Sequence, residues 1–457
     1  MTKDMTQGSP LKNIVLFSLP VLAGNLFQQL YNMVDAVIVG RVLGPDALAA
    51  VGATGCLMFL VLGFANGIAQ GFSVMIAQAF GAGNHKQLKH YVALIVVLSI
   101  IVSVLLSIPT AMNAKWLLEL LETPSDVIDM STSYIEVIFA GIILTMAYNV
   151  EAGILRGVGD SRTPLYFLFL ASIINVILDI VFIMVLGFGT EGAAYATVIG
   201  QGVSAVCCFV YMFVKFPIIK VSKEDFYWDI RACVNLLRLG IPMAINYSIT
   251  AIGTMIFQRA INVFGSSIMA SYTAASKVVN LTTQTMPALG TATATFCGQN
   301  LGAGKYDRIY KGMRVSLFIC IAIGLLAGAI SILAGPAMVS IFIDKPDART
   351  MEDAMTYLWR ASLFMIPLAM IFAYRNGMQG LNRSFVPMLS GIVELFSRFA
   401  VVKLLSGPYG YKGVCWTDAI CWGMTGVIVW VAYLCWEMKS RRRHMSGQAL
   451  SLEKNKS

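Results

Sequence analysis

The first long apolar segment of the chain, residues 14–42, carries an acid, Asp35, where a lipid-buried helix should carry no charge. A central carboxylate costs about 2.5 to 3.5 kcal/mol on insertion scales, so such a residue faces a cavity or the bundle interior. Gln28 and Asn32 share a helix face with Asp35, because side chains three to four residues apart lie on one side. Pro20 removes an intrahelical hydrogen bond and predicts a bend. We therefore expect a movable helix that lines a polar cavity.

Composition places this segment in an all-α integral membrane protein. Hydrophobic residues make up 57% of the chain and charged residues 12%, against about 25% charged residues in soluble domains. Apolar runs of about 20 residues, the length that spans a bilayer as a helix, recur along nearly the whole chain. We expect twelve transmembrane helices.

The distribution of Lys and Arg predicts the orientation of these helices. The chain has a net charge of +9, and its basic residues lie mostly in alternate loops and in the two terminal segments. Loops rich in Lys and Arg stay in the cytoplasm, so both termini are predicted to be cytoplasmic in a multi-pass plasma membrane protein. The positive charge is therefore interpreted as a topology signal, and we expect no nucleic-acid partner.

An internal repeat organises the helices. The motif at 78–84, QAFGAGN, recurs at 299–305 as QNLGAGK, and the LRG of 155–157 corresponds to the MQG of 378–380. Six spans return the chain to its starting side, so the halves have the same orientation. We expect two six-helix lobes related by a parallel internal repeat, with a cavity between them. The predicted boundaries are an N-lobe at 1–214, a cytoplasmic linker at 215–238, a C-lobe at 239–438 and a cytoplasmic tail at 439–457.

Three further polar residues are predicted to lie near Asp35. Asn175 and Asp179 share one face of helix 5, and Thr197 lies on helix 6. Counted from the helix ends, Asp35, Asp179 and Thr197 lie about 8 to 10 Å below the outer surface. The four side chains predict an oxygen-rich site for a proton or a sodium ion, since neighbouring acids repel and hard cations prefer oxygen ligands. An alternative is that they only brace helices 1, 5 and 6.

The second half does not repeat this acidic site. Arg398 stands where the repeat places Asn175, and its i, i+4 spacing from Glu394 predicts an ion pair. Glu151 and Asp418 lie near helix ends, where we expect them to be solvated. Lys277 has no local partner and is a candidate for lining the cavity. Because all three histidines lie outside the spans and no HExxH or GxSxG motif is present, we expect no enzyme activity.

The sequence YNMVDAVIVG at 31–40 and LGPDALAA at 43–50 resembles the multidrug and toxic compound extrusion family, as do the motifs at 155–164 and 299–305. The resemblance implies a monomeric, cation-coupled antiporter that expels small organic, often cationic, drugs, with H+ or Na+ as coupling ion and no other cofactor. In the DinF-like branch of the family an N-lobe cation site and a helix-1 proline bend are described. The positions that match them here are Asp35, Asn175, Asp179, Thr197 and Pro20.

We therefore expect efflux by alternating access, driven by cation entry. Other branches of the family carry a coupling acid on helix 7, which has none here. An alternative function is a flippase for a lipid-linked precursor, which would need a cationic cavity. Lys277, Arg259 and Arg398 are the residues that favour this alternative.

Overall fold

The computed structural model describes residues 3–343 and 347–454, with side chains described up to Arg442. Twelve long helical segments, α1 to α12, run through this part of the chain. They are α1 Pro10–Val42, α2 Pro45–Gly81, α3 His85–Met112, α4 Ile128–Ala140 with Ile142–Gly157, α5 Arg162–Asp179 continued by the π-helical turn Ile180–Val185, α6 Thr190–Lys215, α7 Ile230–Asn262, α8 Ser266–Thr283 with Thr285–Gly302, α9 Tyr306–Leu333, α10 Ala348–Leu363 with Met365–Met370, Ile371–Arg375 and Asn376–Gly380, α11 Phe385–Val414 and α12 Thr417–Lys454.

Length and composition confirm an all-helical membrane fold. Within the described residues, nine helices are long and apolar enough to cross a membrane, and two bent pairs, in α4 and α10, raise the number to eleven. The remaining segment, α8, is rich in Thr and Ser, yet it occupies the place in the second lobe that α2 occupies in the first. The helices α1–α6 and α7–α12 form the two predicted lobes.

The repeat extends to irregular features that the sequence did not reveal. The bends of 48° and 55° in α4 and α10 occur at Gly141 and Phe364. Short helices Ala114–Leu120 and Gly335–Phe342 follow α3 and α9. Gly44 and Gly265, with φ of 97° and 92°, precede α2 and α8, a conformation that glycine adopts without strain. Equivalent turns and bends therefore recur in both halves.

Two predicted boundaries fall inside helices. The helix α7 begins at Ile230, within the segment 215–238 predicted as a linker, and α12 continues past residue 438 to Lys454. Asp229 caps α7 by accepting hydrogen bonds from the backbone N–H groups of Arg231 and Ala232. The first turns of α7 then bury Leu236 in the core of the first lobe, so a stretch with polar residues still forms helix.

The two lobes are in contact at the end of the bundle that carries both termini, which we call the terminal end. There α2 crosses α8 at Gly81 and Gly302, and a methyl group at either position would overlap the backbone carbonyl of Gln299 or Gln78. Each of these glutamines also donates a hydrogen bond across the interface. Gln78 Nε2 donates to the Gly380 carbonyl at 3.1 Å, and Gln299 Nε2 donates to the Gly157 carbonyl at 2.9 Å.

The N-terminal segment, residues 4–9, covers this crossing. The backbone N–H of Met5 donates to Gln299 Oε1 at 2.9 Å, and the Met5 side chain is fully buried. Asn300 and Arg308 donate to the Met5 carbonyl from the second lobe. A segment that precedes the first lobe is thus held by the second.

A buried ion network joins helices of the second lobe. Arg398 contacts Glu394 at 3.0 Å and Asp418 at 2.8 Å, and the Tyr357 hydroxyl donates to Asp418 at 2.7 Å. The predicted Glu394–Arg398 pair is confirmed. The expectation that Asp418 is solvated is wrong, because α11 brings Arg398 against it and leaves it 5% exposed. Glu151 is also buried, within the first lobe.

We expect Gly71→Ala to lower thermal stability, because its new Cβ would overlap the backbone of Gly240 where α2 crosses α7. Overpacking of this kind costs about 1 to 3 kcal/mol. Gly52→Ala is the matched control, since its Cβ would meet no atom within 4 Å and alanine is the better helix former. Melting temperatures of the purified variants in detergent test this. Equal melting temperatures for the two would contradict the close crossing.

Arg398→Met should destabilise the second lobe by about 3 to 5 kcal/mol, because it leaves two buried carboxylates without their cation. Arg441→Met removes an ion pair to Glu437 from a side chain that is 44% exposed, and should cost at most about 1 kcal/mol. Denaturant titrations of both variants measure the difference. A cost for Arg398→Met as small as that for Arg441→Met would show that the network contributes little.

Candidate functional site

The helices α1, α5 and α6 bring the four predicted site residues to one region of the first lobe. Asn175 Nδ2 donates to Thr197 Oγ1 at 3.2 Å, which ties α5 to α6. Asp35 and Asp179 lie close enough for their carboxyl groups to share a hydrogen bond when one carries a proton. Asp179 is completely buried, and Asp35 is 9% exposed. The two carboxyl groups therefore form one unit.

Four oxygen atoms of this group are buried and make no hydrogen bond with the described residues. They are Asp35 Oδ1, both carboxylate oxygens of Asp179 and Asn175 Oδ1. A buried polar atom without a partner is costly, and a buried charge more so. The arrangement suits a small cation, which would take these oxygens as ligands, or a proton, which would let one carboxyl group donate to the other.

A cavity of about 130 Å³ gives access to this region. Asp35 lines it together with Gln28 and Asn32, so the polar face of α1 expected from the sequence does point into a cavity. Thr197 lines the same cavity and also a small recess that contains Asn175. Asp179 is fully buried and is not among the residues that line this cavity.

A second cavity, of about 250 Å³, lies between the lobes. It shares lining residues with the Asp35 cavity, so the two spaces adjoin. The shared residues are Gln28, Asn66, Tyr148 and Asn149. Pro20 lines this central cavity within α1, which is one unbroken helix from Pro10 to Val42. Lys277 is exposed and does not line it.

Sequence reasoning missed several residues that complete the site. Tyr31 contacts Gln28 and Gln201 and lines the Asp35 cavity with Tyr134. Gln201 follows Thr197 by four residues, and this spacing on α6 could have revealed it. The π-helical turn that begins directly after Asp179 has no clear sequence signal, although such turns often occur at functional sites.

The second lobe has no matching acid pair. The repeat places Ile256 and Val402 where the first lobe has Asp35 and Asp179, and Arg398 is held in its ion network. Among the described residues, no group of three or more His, Cys, Asp or Glu side chains could hold a metal ion. A cation at the Asp35 group would therefore depend on amide and hydroxyl oxygens as well as carboxylates.

Comparison with known proteins agrees with this architecture. The sequence profile of the MatE family matches residues 20–181 and 242–402, one match in each lobe. The probable multidrug resistance protein YpnP of Bacillus subtilis (strain 168) is 29% identical over 420 residues, which is 90% of this chain and 92% of YpnP. The probable multidrug resistance protein YoeA of the same organism is 30% identical over 373 residues, 80% of this chain and 81% of YoeA.

Solved structures share the fold. A crystal structure of MATE in the bent conformation superposes with a TM-score of 0.89 at 23% identity, covering 97% of this chain and 99% of that one. The outward-facing conformation of a multidrug resistance MATE family transporter of the MOP superfamily gives 0.87 at 24% identity, covering 96% and 98%. Since the family profile matches more than half of the chain, the chain belongs to the MatE family, the multidrug and toxic compound extrusion transporters that its sequence resembles.

Proposed function

We propose that this protein exports small organic drugs in exchange for H+ or Na+ entering through the Asp35 group. The observation that carries the proposal is the set of four buried oxygens without partners, on Asp35, Asp179 and Asn175, beside a cavity. Relatives described as multidrug resistance proteins support drugs as substrates. They do not favour the lipid-precursor flippase. A carboxylate of this group, when ionised, favours substrates with a cationic amine.

The helix α1 provides the coupling. It carries Asp35 at the ion site, and through Pro20 and Gln28 it also lines the central cavity between the lobes. A cation that pulls α1 toward Asp179 and Asn175 changes the shape of the substrate cavity. Ion and substrate are then coupled because each prefers a different position of the same helix.

Alternating access requires the terminal end to open. In this structure the lobes are joined there by Gln78, Gln299 and residues 4–9. With the termini in the cytoplasm of a plasma membrane protein, this is a state closed to the cytoplasm. Each chain encloses its own cavity, so the transporter acts as a monomer.

The Asp35→Asn variant should abolish gradient-driven transport, because the amide keeps the size of the side chain but cannot bind a proton or supply a charged ligand. Efflux of a fluorescent cationic drug from proteoliposomes, under a proton gradient or a sodium gradient, measures this. The gradient that drives the wild type identifies the ion.

Asp126→Asn is the control, because Asp126 is an exposed acid outside the site, and this variant should transport like the wild type. Full activity of Asp35→Asn would indicate that the site only holds the helices together and does not bind the coupling ion. Transport by the wild type under neither gradient would contradict ion coupling.

Replacing both Gln78 and Gln299 by alanine should weaken closure of the terminal end. The variant loses the two hydrogen bonds across the lobes and also the bond from Met5 N–H to Gln299 Oε1. Each is worth about 1 kcal/mol, so the open fraction should rise about 100-fold. Hydrogen–deuterium exchange of residues 4–9 should become faster. Gln87→Ala, which removes only side-chain hydrogen bonds to Asn84 and Tyr91 within the first lobe, should leave it unchanged. Unchanged exchange in the double variant would contradict this role.

A further inference from the structure

Arg156 is the one charged side chain among the residues that line the central cavity. The rest of the polar lining is neutral and consists of amides, hydroxyls and tyrosines. The amide side chains that line it are those of Asn25, Gln28, Asn66, Gln70, Asn149 and Asn376, together with Gln379. No Asp or Glu of the described residues lines this cavity, so the charge on its wall is that of a cation.

The Arg156 guanidinium has no ion pair and no hydrogen bond with any described residue. Its electrostatic neighbours are Tyr148, Tyr247 and Cys208, none of which is an acid. A guanidinium presents five N–H donors in a planar fork that fits a carboxylate or a phosphate. In contrast, Arg398 in the second lobe is satisfied by two carboxylates. Arg156 is thus a cation that the described part of the chain leaves unpaired.

A role in capping α4 does not account for this placement. Arg156 lies in the last turn of Ile142–Gly157, where a cation interacts favourably with the helix dipole. However, its guanidinium does not bond to the terminal carbonyls, and the Gly157 carbonyl accepts from Gln299 instead. The repeat also places Gln379 at the equivalent position of α10, so this corner of the fold does not require a positive charge.

Gln379 supplies the second observation. Its side chain is 2% exposed, it lines the same cavity, and its Oε1 atom is buried without a hydrogen-bond partner. The two lobes therefore contribute equivalent residues to one cavity, and both offer unused hydrogen-bonding groups there. An amide can orient toward a ligand with either its oxygen or its N–H₂ group.

We propose that Arg156, assisted by Gln379, is an anion subsite that binds an acidic group of the transported compound, a carboxylate or a phosphate. This inference rests on the proposed transport function and specifies its substrate class. The central cavity adjoins the Asp35 cavity, so one compound can place an acidic group on Arg156 and direct a cationic amine toward Asp35. The preferred substrates are then compounds that carry an acidic group, including zwitterions.

Equilibrium binding to the purified protein in nanodiscs tests this with two fluorescent pairs. A fluoroquinolone and its methyl ester differ only in the carboxylate, and flavin mononucleotide and riboflavin differ only in the phosphate. The wild type should bind the acidic member of at least one pair about 10-fold more tightly, and the pair that shows the preference identifies the oxyanion.

Arg156→Gln, which introduces the residue found at the equivalent position of the other lobe, should abolish that preference and leave binding of the methyl ester and of riboflavin unchanged. Arg156→Lys should retain part of it, because the ammonium keeps the charge but not the planar fork. Arg238→Gln is the matched control, since Arg238 is an exposed arginine that lines a different cavity, and it should bind like the wild type.

No preference for the acidic member of either pair in the wild type overturns the proposal, as does a preference that survives Arg156→Gln. Equal weakening of both members of a pair would assign Arg156 a structural role and also overturns it. Binding is measured without an ion gradient, so it is independent of the transport assay. If the wild type prefers the acidic compound but shows no gradient-driven transport, the proposed antiport is rejected and the anion subsite remains supported.

Discussion

The contact between α2 and α8 at the terminal end constrains the whole bundle. Backbone meets backbone at Gly81 and Gly302, and no side chain separates the two helices. Such contact is available only to glycine, and in lipid, where helix association depends on close packing and polar contacts, it makes a strong junction. There the carbonyls of Gly380 and Gly157 accept hydrogen bonds from Gln78 and Gln299, which belong to the two repeated motifs. The lobes also meet where α2 crosses α7 at Gly71 and Gly240, and the central cavity lies between the lobes beside these contacts.

The junction explains why the two repeated motifs are alike. The 78–84 and 299–305 motifs are not independent caps of two helices, because each one's glutamine donates to a glycine carbonyl in the opposite lobe, at Gly380 or Gly157. A symmetric pair of contacts needs the same residues on both sides. These two contacts at the terminal end therefore follow from the repeat itself, whereas residues 4–9, which precede the first lobe, add contacts to Gln299 and Asn300 of the second.

Sequence analysis predicted the helices, the lobes and the polar face of α1, because hydropathy and period report directly on lipid exposure. It also predicted that Asp35 and Thr197 lie near each other, from their similar depth below the outer membrane surface, and both line the same cavity. It did not predict that Asp418 joins Arg398, since pairing between helices depends on rotations about their axes that no local pattern encodes. The start of α7 within polar sequence was missed for a similar reason, because its stability comes from packing on the other lobe.

The charges that remain unpaired are distributed unequally on this symmetric scaffold. The first lobe holds two neighbouring acids, Asp35 and Asp179, and an unpaired cation, Arg156. In the second lobe, the Arg398 network satisfies a buried arginine with two carboxylates. A buried charge without a partner destabilises a fold, whereas a paired one restrains it. The Arg398 network therefore restrains the second lobe, whereas the unpaired charges lie in the first lobe, next to α1, which lines both cavities.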